Sequence, residues 1–234
     1  MGKRYTIKLG GESGQGINTF GLLLSKSLRL AGHNTFSYRE YPSLIKGGVA
    51  SYQIDFSDNP INSSSKSCDV LTILDLDCIN EYISSIKNNG LLIYDDPTTF
   101  TPEQALLIKE KSIKTIFLNT KKIAQENGGD VIMENVILLG FLWKILGLQE
   151  EQLQEVLKNT FQSKGDELVK KNLLCSSLGY QNTEYNQEYS QVEYMPQNCE
   201  NNSKNMIMTG NDAIALGAIA CGVRAYYGYP MTPA

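Results

Sequence analysis

Tyr5-Thr6-Ile7-Lys8-Leu9-Gly10-Gly11-Glu12-Ser13-Gly14-Gln15-Gly16 is a short β-rich run ending in a cluster of glycines, and the segment from Ile17 to Ala31 completes it. Phe20, Leu23, Leu24, Leu28 and Ala31 recur at the spacing of one helix face, with Gly32 as the stop. Thr35 to Tyr38 reads as a second strand. Strand, glycine turn, helix and strand in close succession form a βαβ unit, which predicts an α/β fold with parallel strands under covering helices.

Further along, Val49 to Phe56 alternates with the period of a strand buried on one face. Its expected partner lies near Pro60 to Asn62, across a Ser57-Asp58-Asn59 turn, so some antiparallel pairing is predicted and the sheet should be mixed. Val70 to Leu74 reads as a buried strand, Ile79 to Lys87 as a helix, and Leu91 to Tyr94 as a strand opened by Gly90 and closed by Asp95-Asp96-Pro97. Ile116 to Leu118 is one more candidate strand. Asn135 to Leu146 and Glu150 to Phe161 read as helices joined at Gly147.

From Tyr180 to Lys204 the composition turns to Asn, Gln, Glu and Tyr, with too little apolar surface to offset the entropy of ordering. It is read as an exposed linker. The aliphatic pattern resumes at Met206, and Gly210 to Ala234 has the makings of a capped amphipathic helix, a strand-like aromatic run and a turn, Tyr229-Pro230-Met231-Thr232-Pro233. That stretch reads as the opening of a second domain whose remaining walls lie outside these 234 residues.

Composition removes several classes of function. Acidic residues number 25 against 21 basic ones, so the chain has no polycationic footprint for nucleic acid. The longest apolar stretch, Val131 to Leu148, is interrupted by Glu134, Asn135 and Lys144 and is read as a buried helix rather than a membrane span. The first strand is expected within a few residues of Met1, so no leader peptide is expected, and Tyr5 and Thr6 read as strand residues rather than a free acylated arm. The five cysteines, Cys68, Cys78, Cys175, Cys199 and Cys221, contain no CxxC pair and are expected as buried thiols in a reducing cytoplasm. His33, the single histidine, is expected in the turn after Gly32.

A glycine turn between strand and helix lets backbone approach a ligand, and the first N–H groups of the helix favour an anion. The spacing here, Gly11-x-x-Gly14-x-Gly16, reverses the GxGxxG dinucleotide fingerprint, and no lysine follows to complete a Walker loop. NAD and ATP therefore gain no support. On spacing alone the turn is equally an anion cradle or a tight bend with no ligand.

GGESGQG with its helix, REYPSLIKGGVASYQI, DVLTILD and ENVILLGFLWKILGL together resemble the gamma domain of 2-oxoacid:ferredoxin oxidoreductases. GNDAIALGAIACGVRAYYGYPMTP resembles the start of their alpha domain, in the arrangement where gamma and alpha are fused in one alpha subunit. The resemblance implies a three-layer Rossmann-like gamma domain over residues 1–179, a flexible linker over 180–205, and the truncated start of a thiamine-diphosphate-binding α/β domain over 206–234. It implies an enzyme that decarboxylates a 2-oxoacid, 2-oxoglutarate or a similar acid, passes the electrons to ferredoxin and transfers the acyl group to coenzyme A. Gly11, Gly14, Gln15 and Gly16 match the family's turn, with their N–H groups expected to face the anionic end of coenzyme A or a neighbouring subunit. Lys46-Gly47-Gly48 stands where relatives commonly carry Arg-Gly-Gly, and the lysine keeps the charge but loses the bidentate fork.

Tyr229, Pro230 and Thr232 match the YPxTP motif, which implies substrate contact through the Thr232 hydroxyl. No catalytic residue and no metal site is expected within the chain. Thiamine diphosphate and magnesium belong to the full complex, the iron–sulfur cluster to a partner beta subunit, and the chain alone should have no turnover. The competing reading is a non-catalytic module that binds coenzyme A or another phosphorylated ligand, or that serves assembly.

Overall fold

The computed structural model describes residues 4–12, 14–41, 48–75, 77–95, 100–127, 133–182 and 206–229. The chain divides into two compact units, Met1–Ser203 and Lys204–Ala234. In the first, six strands form one sheet: β1 (Arg4–Glu12), β2 (Asn34–Glu40), β3 (Val49–Ser57), β4 (Cys68–Ile73), β5 (Ile86–Tyr94) and β6 (Lys114–Phe117), in the order β2-β3-β1-β4-β5-β6. The pairs β1/β4, β4/β5 and β5/β6 are parallel, while β3 runs antiparallel to both β1 and β2. The sheet is mixed and mostly parallel, as the sequence indicates.

Period-two alternation decides what each sheet face buries. Ile7 and Leu9 of β1, Ile54 and Phe56 of β3, Val70 of β4, and Leu91 and Ile93 of β5 enter one core with helices α1 (Ile17–Leu30), α4 (Thr120–Glu126), α5 (Glu134–Ile145), α6 (Glu150–Phe161) and α7 (Asp166–Tyr180). Leu71 and Ile73 of β4 and Ile86 and Leu92 of β5 enter a second core with α2 (Asp77–Tyr82), a 3-10 turn (Ile83–Ser85) and α3 (Pro102–Glu110). Helices thus cover both faces in three layers. Nine residues of α5 are buried, including Trp143 and Phe141. Its helix–helix contact with α7 is so close that a Cβ at Gly140 would lie 2.0 Å from the Ser176 carbonyl oxygen and one at Gly179 1.8 Å from that of Ile137.

Over β1 and β3 the second face is polar. Asp55, fully buried, accepts from Arg4 Nε (2.9 Å), Thr6 Oγ1 (2.6 Å), Gln53 Nε2 (3.1 Å) and the Ser65 backbone N–H (3.2 Å). Beside it Lys8 Nζ lies 3.0 Å from Glu40 and 4.1 Å from the centre of the Tyr82 ring. Burial would push the Glu40 carboxyl up, but hydrogen bonds from Ser51 and Lys8 outweigh it and hold the carboxyl below its usual value.

Several boundaries differ from the sequence reading. Pro60 to Asn62 form no strand; β3 pairs instead with β1 and β2, which offer longer ladders than a segment whose proline lacks an N–H. That segment is held by side chains, with Arg4 donating to the Ser63 carbonyl and Gln53 Nε2 to the Ser65 carbonyl. The helix expected to reach Lys87 stops at Tyr82, and β5 starts at Ile86, because Cys68 takes Ile86 as its partner across a register shift. Gly90 accordingly lies inside a strand rather than opening one. Asp96 and Pro97 lie outside the described residues.

In the unit Lys204–Ala234, α8 (Gly210–Ala220) is closed by a reciprocal cap: Thr209 Oγ1 accepts from the Asp212 N–H and Asp212 accepts from the Thr209 N–H. The aromatic run Arg224 to Tyr229 is not a strand, since among the described residues no ladder partner reaches it. Cys68, Cys78 and Cys175 are buried as expected, whereas Cys221 is exposed; Cys199 lies outside the described residues. No helix among the described residues is long and apolar enough to cross a membrane.

His33 is 1% exposed, packs on the Phe56 ring at 5.5 Å, and neither ring nitrogen has a hydrogen-bond partner among the described residues. Burial lowers its pKa, with the Asp58 charge pulling the other way. Below about pH 6.5 the unfolded chain takes up a proton that the folded chain refuses, so stability falls with pH by up to about 1.4 kcal/mol per unit until the folded-state pKa is reached. Denaturant titrations at pH 7.5, 6.5 and 5.5 should show this loss, and His33→Leu should flatten it. Equal slopes in both proteins would rule the imidazole out as its source.

Candidate functional site

Because β1, β4, β5 and β6 run parallel, their C-terminal ends open on one edge. After β1 the chain leaves through α1 toward β2; after β4 it leaves through α2 toward β5, on the other side. The crevice beyond such a switch point is where open α/β sheets place ligands. The glycine turn lies there.

Its interior is set by Gln15. The Gln15 N–H donates to the Glu12 carbonyl (3.2 Å), its Oε1 accepts from the Glu12 N–H (2.8 Å), and its carbonyl accepts from Asn135 Nδ2 (2.7 Å). Gly11 is buried in the β1–β3 ladder, and a Cβ there would stand 2.6 Å from Gln15 Oε1. Gly11 therefore makes room for Gln15, and the Gln15 N–H, expected to face a ligand, is spent within the turn. Gly14, at φ +104°, has none of the described residues within 4 Å of its Cβ position. Gly16, at φ +77°, is the N-cap of α1, which has no side-chain cap and no acidic residue in its first turn. The positive end of α1 is left unneutralised by its own sequence.

The β4 side of the crevice carries the opposite sign. Glu12, Asp75 and Asp77 each offer a carboxylate oxygen, all within 4.8 Å of one another, and Asp75 also accepts from the Asp77 N–H (2.9 Å). Burial, and then these three carboxylates, push the neighbouring Cys78 thiol up to about 12. Nothing beyond proximity marks the trio as a metal site. At the end of β5, Asp95 accepts from the Thr120 N–H (2.7 Å) and hydroxyl (2.6 Å). Burial and the nearby Asp95 raise the Glu134 pKa, against a lowering by Lys121. The α1 side of this mouth thus presents the start of a helix, and the α2 side presents carboxylates. A surface cleft of about 320 Å³ lined by Lys26, Arg29, Glu155 and Thr160 lies at the other end of α1, away from the turn.

The family model of pyruvate ferredoxin/flavodoxin oxidoreductases matches residues 6–182. The chain belongs to that family. Among its relatives, the 2-oxoacid:ferredoxin oxidoreductase subunit alpha of Saccharolobus solfataricus is 25% identical over 269 residues, covering 99% of this chain. The chain spans 41% of that subunit's length. The 2-oxoglutarate synthase subunit KorC of Methanocaldococcus jannaschii is 26% identical over 180 residues, which is 76% of this chain and 93% of that subunit. Among solved structures, the 2-oxoglutarate:ferredoxin oxidoreductase of Magnetococcus marinus, with 2-oxoglutarate, coenzyme A and succinyl-CoA bound, superposes with a TM-score of 0.78 at 27% identity, over 99% of this chain and 39% of that one. A keto/oxoacid ferredoxin oxidoreductase gamma subunit from Geobacter sulfurreducens, 21% identical with a TM-score of 0.63 over 76% of this chain, shares the fold.

Of the positions that the sequence matches to this oxidoreductase family, the structure brings Gly11, Gly14, Gln15 and Gly16 into one turn, and places Gly48 next to Val49, the β3 partner of Glu12. Lys46, Gly47, Pro230 and Thr232 lie outside the described residues. Tyr229 is 75% exposed in the unit Lys204–Ala234. Sequence reasoning missed Asn135, 120 residues from the carbonyl it holds, and the carboxylates Asp75 and Asp77. Only a turn residue's unexplained need for a donor would have pointed to Asn135.

Proposed function

We propose that this chain is part of a 2-oxoacid:ferredoxin oxidoreductase alpha subunit, and that its first unit receives coenzyme A at the turn Gly14–Gly16 and the start of α1. The observation that carries the reading is the uncapped, glycine-opened N terminus of α1 at the switch point of the sheet. Support comes from the Magnetococcus enzyme, which holds coenzyme A and aligns with nearly all of this chain. The diphosphate would lie on the α1 side, clear of Glu12, Asp75 and Asp77, with Lys46-Gly47-Gly48 near the same ligand. Residues 1–179 then form the gamma domain, 180–205 the linker and 206–234 the start of the thiamine-binding domain. The KorC match, which takes in 76% of this chain and 93% of that subunit, agrees with a self-standing gamma-type domain.

In the complete cytoplasmic enzyme the substrate is 2-oxoglutarate or a similar 2-oxoacid, with Tyr229, Pro230 and Thr232 at its binding site. Decarboxylation releases carbon dioxide, two electrons pass to ferredoxin, and the acyl group forms a thioester with the thiol of coenzyme A. Thiamine diphosphate supplies the carbanion stabilisation for that chemistry. The described cysteines of this chain do not fit an iron–sulfur cluster: Cys68 and Cys78 lie in one core and Cys175 in the other, and among the described residues no group of three thiols comes together. The cluster is therefore assigned to the beta subunit. The alternative, an assembly surface without a ligand, draws on the negative β4 side of the mouth.

Calorimetric titration with coenzyme A, NADH and ATP separates these readings. Coenzyme A should bind and NADH should not, and Gly14→Val, which fills the open space and strains φ, should weaken coenzyme A by at least about tenfold, or 1.4 kcal/mol. No heat with coenzyme A, or equal affinity in the variant, removes the turn from the site.

A further inference from the structure

We infer that Asn135 is the positioning residue of the glycine turn: its amide holds the Gln15 carbonyl and thereby fixes the outward presentation of the first α1 N–H groups. Three observations meet at this side chain. Asn135 Nδ2 donates to the Gln15 carbonyl at 2.7 Å, a bond that joins parts of the chain 120 residues apart. The same nitrogen lies 2.5 Å from the position a Cβ would occupy at Gly16, so the absence of a side chain there is what admits the amide. Asn135 also sits in the first turn of α5, whose following residues Val136 to Trp143 are buried without a break. A buried helix is thus tied to the glycine turn at the mouth of the crevice.

The tie acts in a defined direction. Gln15 spends its N–H and side-chain oxygen on Glu12, so its carbonyl is the polar group through which the rest of the protein can orient the turn. With that carbonyl drawn toward α5, the peptide linking Gln15 to Gly16 has its N–H directed the opposite way, since the two groups of a trans peptide point apart. The Gly16 N–H and the uncapped α1 start are then offered together to the crevice. Without the amide, left-handed Gly16 and Gly14 leave the turn free to rotate that peptide.

The ligand consequence rests on the coenzyme A reading above; the positioning itself does not, and the test separates them. Amide hydrogen exchange is followed by mass spectrometry in the full 234-residue chain without ligand, for the wild type, Asn135→Ala and Asn135→Asp. Loss of the donor should speed exchange in peptides covering Gly14 to Thr19 by about tenfold, with α5 amides from Leu138 to Ile145 unchanged. Asn135→Asp, close in shape but lacking the donor, should match Asn135→Ala. Calorimetry with coenzyme A should then show both variants weakened by about tenfold at unchanged stoichiometry. Unchanged exchange in the turn, or acceleration spread equally through α5, overturns the positioning role. Faster exchange confined to the turn, with no coenzyme A heat even in the wild type, upholds the positioning and removes the ligand reading.

Discussion

Gly179→Val is expected to prevent the first unit from folding, or to cost it more than about 4 kcal/mol. At this position a Cβ would stand 1.8 Å from the Ile137 carbonyl oxygen and 2.9 Å from the Phe141 nitrogen, and both are backbone atoms of α5. No rotamer change relieves such a contact; the two helices must separate. The reciprocal contact at Gly140, 2.0 Å from the Ser176 carbonyl oxygen, shows that the crossing is close from both sides. Helix separation would open the core around Phe141, Leu142 and Cys175 and forfeit its packing. Chemical denaturation followed by circular dichroism reads the loss. Gly217→Ala in α8, where a Cβ meets nothing within 4 Å, should instead be neutral or mildly stabilising, since alanine is the better helix former by about 1 kcal/mol. A folded Gly179→Val protein of near wild-type stability would mean that the α5–α7 crossing is looser than described.

The second large effect is expected at Asp55. Its carboxylate, fully buried, gathers Arg4, Thr6, Gln53 and the Ser65 N–H. Asp55→Ala should cost about 3–5 kcal/mol, because it leaves several donors in the interior with no acceptor. The Arg4 side chain is 31% exposed, so water screens part of the ion pair and most of the loss comes from the neutral donors. Asp55→Asn keeps one acceptor and should fall between the wild type and Asp55→Ala. A melting shift for Asp55→Ala that corresponds to less than about 1 kcal/mol would show that water reaches the site and replaces the carboxylate.

The parts of the fold that the sequence makes legible are those where one short-range pattern speaks alone. β1, α1, β3 and α6 have clean periodicity and punctuation, and the observed bounds lie within a residue of the reading for α1 and coincide with it for α6. Three helices lack a legible pattern, for different reasons. α3 has its start signal in Thr101-Pro102-Glu103-Gln104, a capping box with proline in the first turn, but no buried residue to give it a periodic face. α4 is only seven residues long. α7 buries small and polar residues, Asn172, Ser176 and Gly179, because it lies against α5 at backbone distance, where a conventional apolar stripe would not fit. The pairing of β3 is not legible in a local window because pairing is non-local: the competitor for Pro60 to Asn62 is β1, nearly fifty residues upstream in the chain.

The site divides in the same way. The glycines announce the turn, since φ of +77° and +104° is what their spacing asks for. The division of labour among them is invisible in one dimension, because Gly11 serves Gln15, Gly16 serves Asn135, and the Cβ position of Gly14 meets none of the described residues. The acidic character of the opposite wall was equally hidden. Asp75 and Asp77 follow the strand Val70 to Leu74 with no pattern of their own, and become neighbours of Glu12 only when β4 lies beside β1.

The enclosure of α5 on every side has a practical corollary for anyone shortening this polypeptide. Trp143 donates to the Gln149 carbonyl and Tyr180 to that of Leu148, so the joint after α5 is pinned by α7's last residue. A version that ends before α7 would expose a rod of leucine, phenylalanine and tryptophan to solvent, and such a product would be recovered as aggregate rather than as a smaller soluble domain.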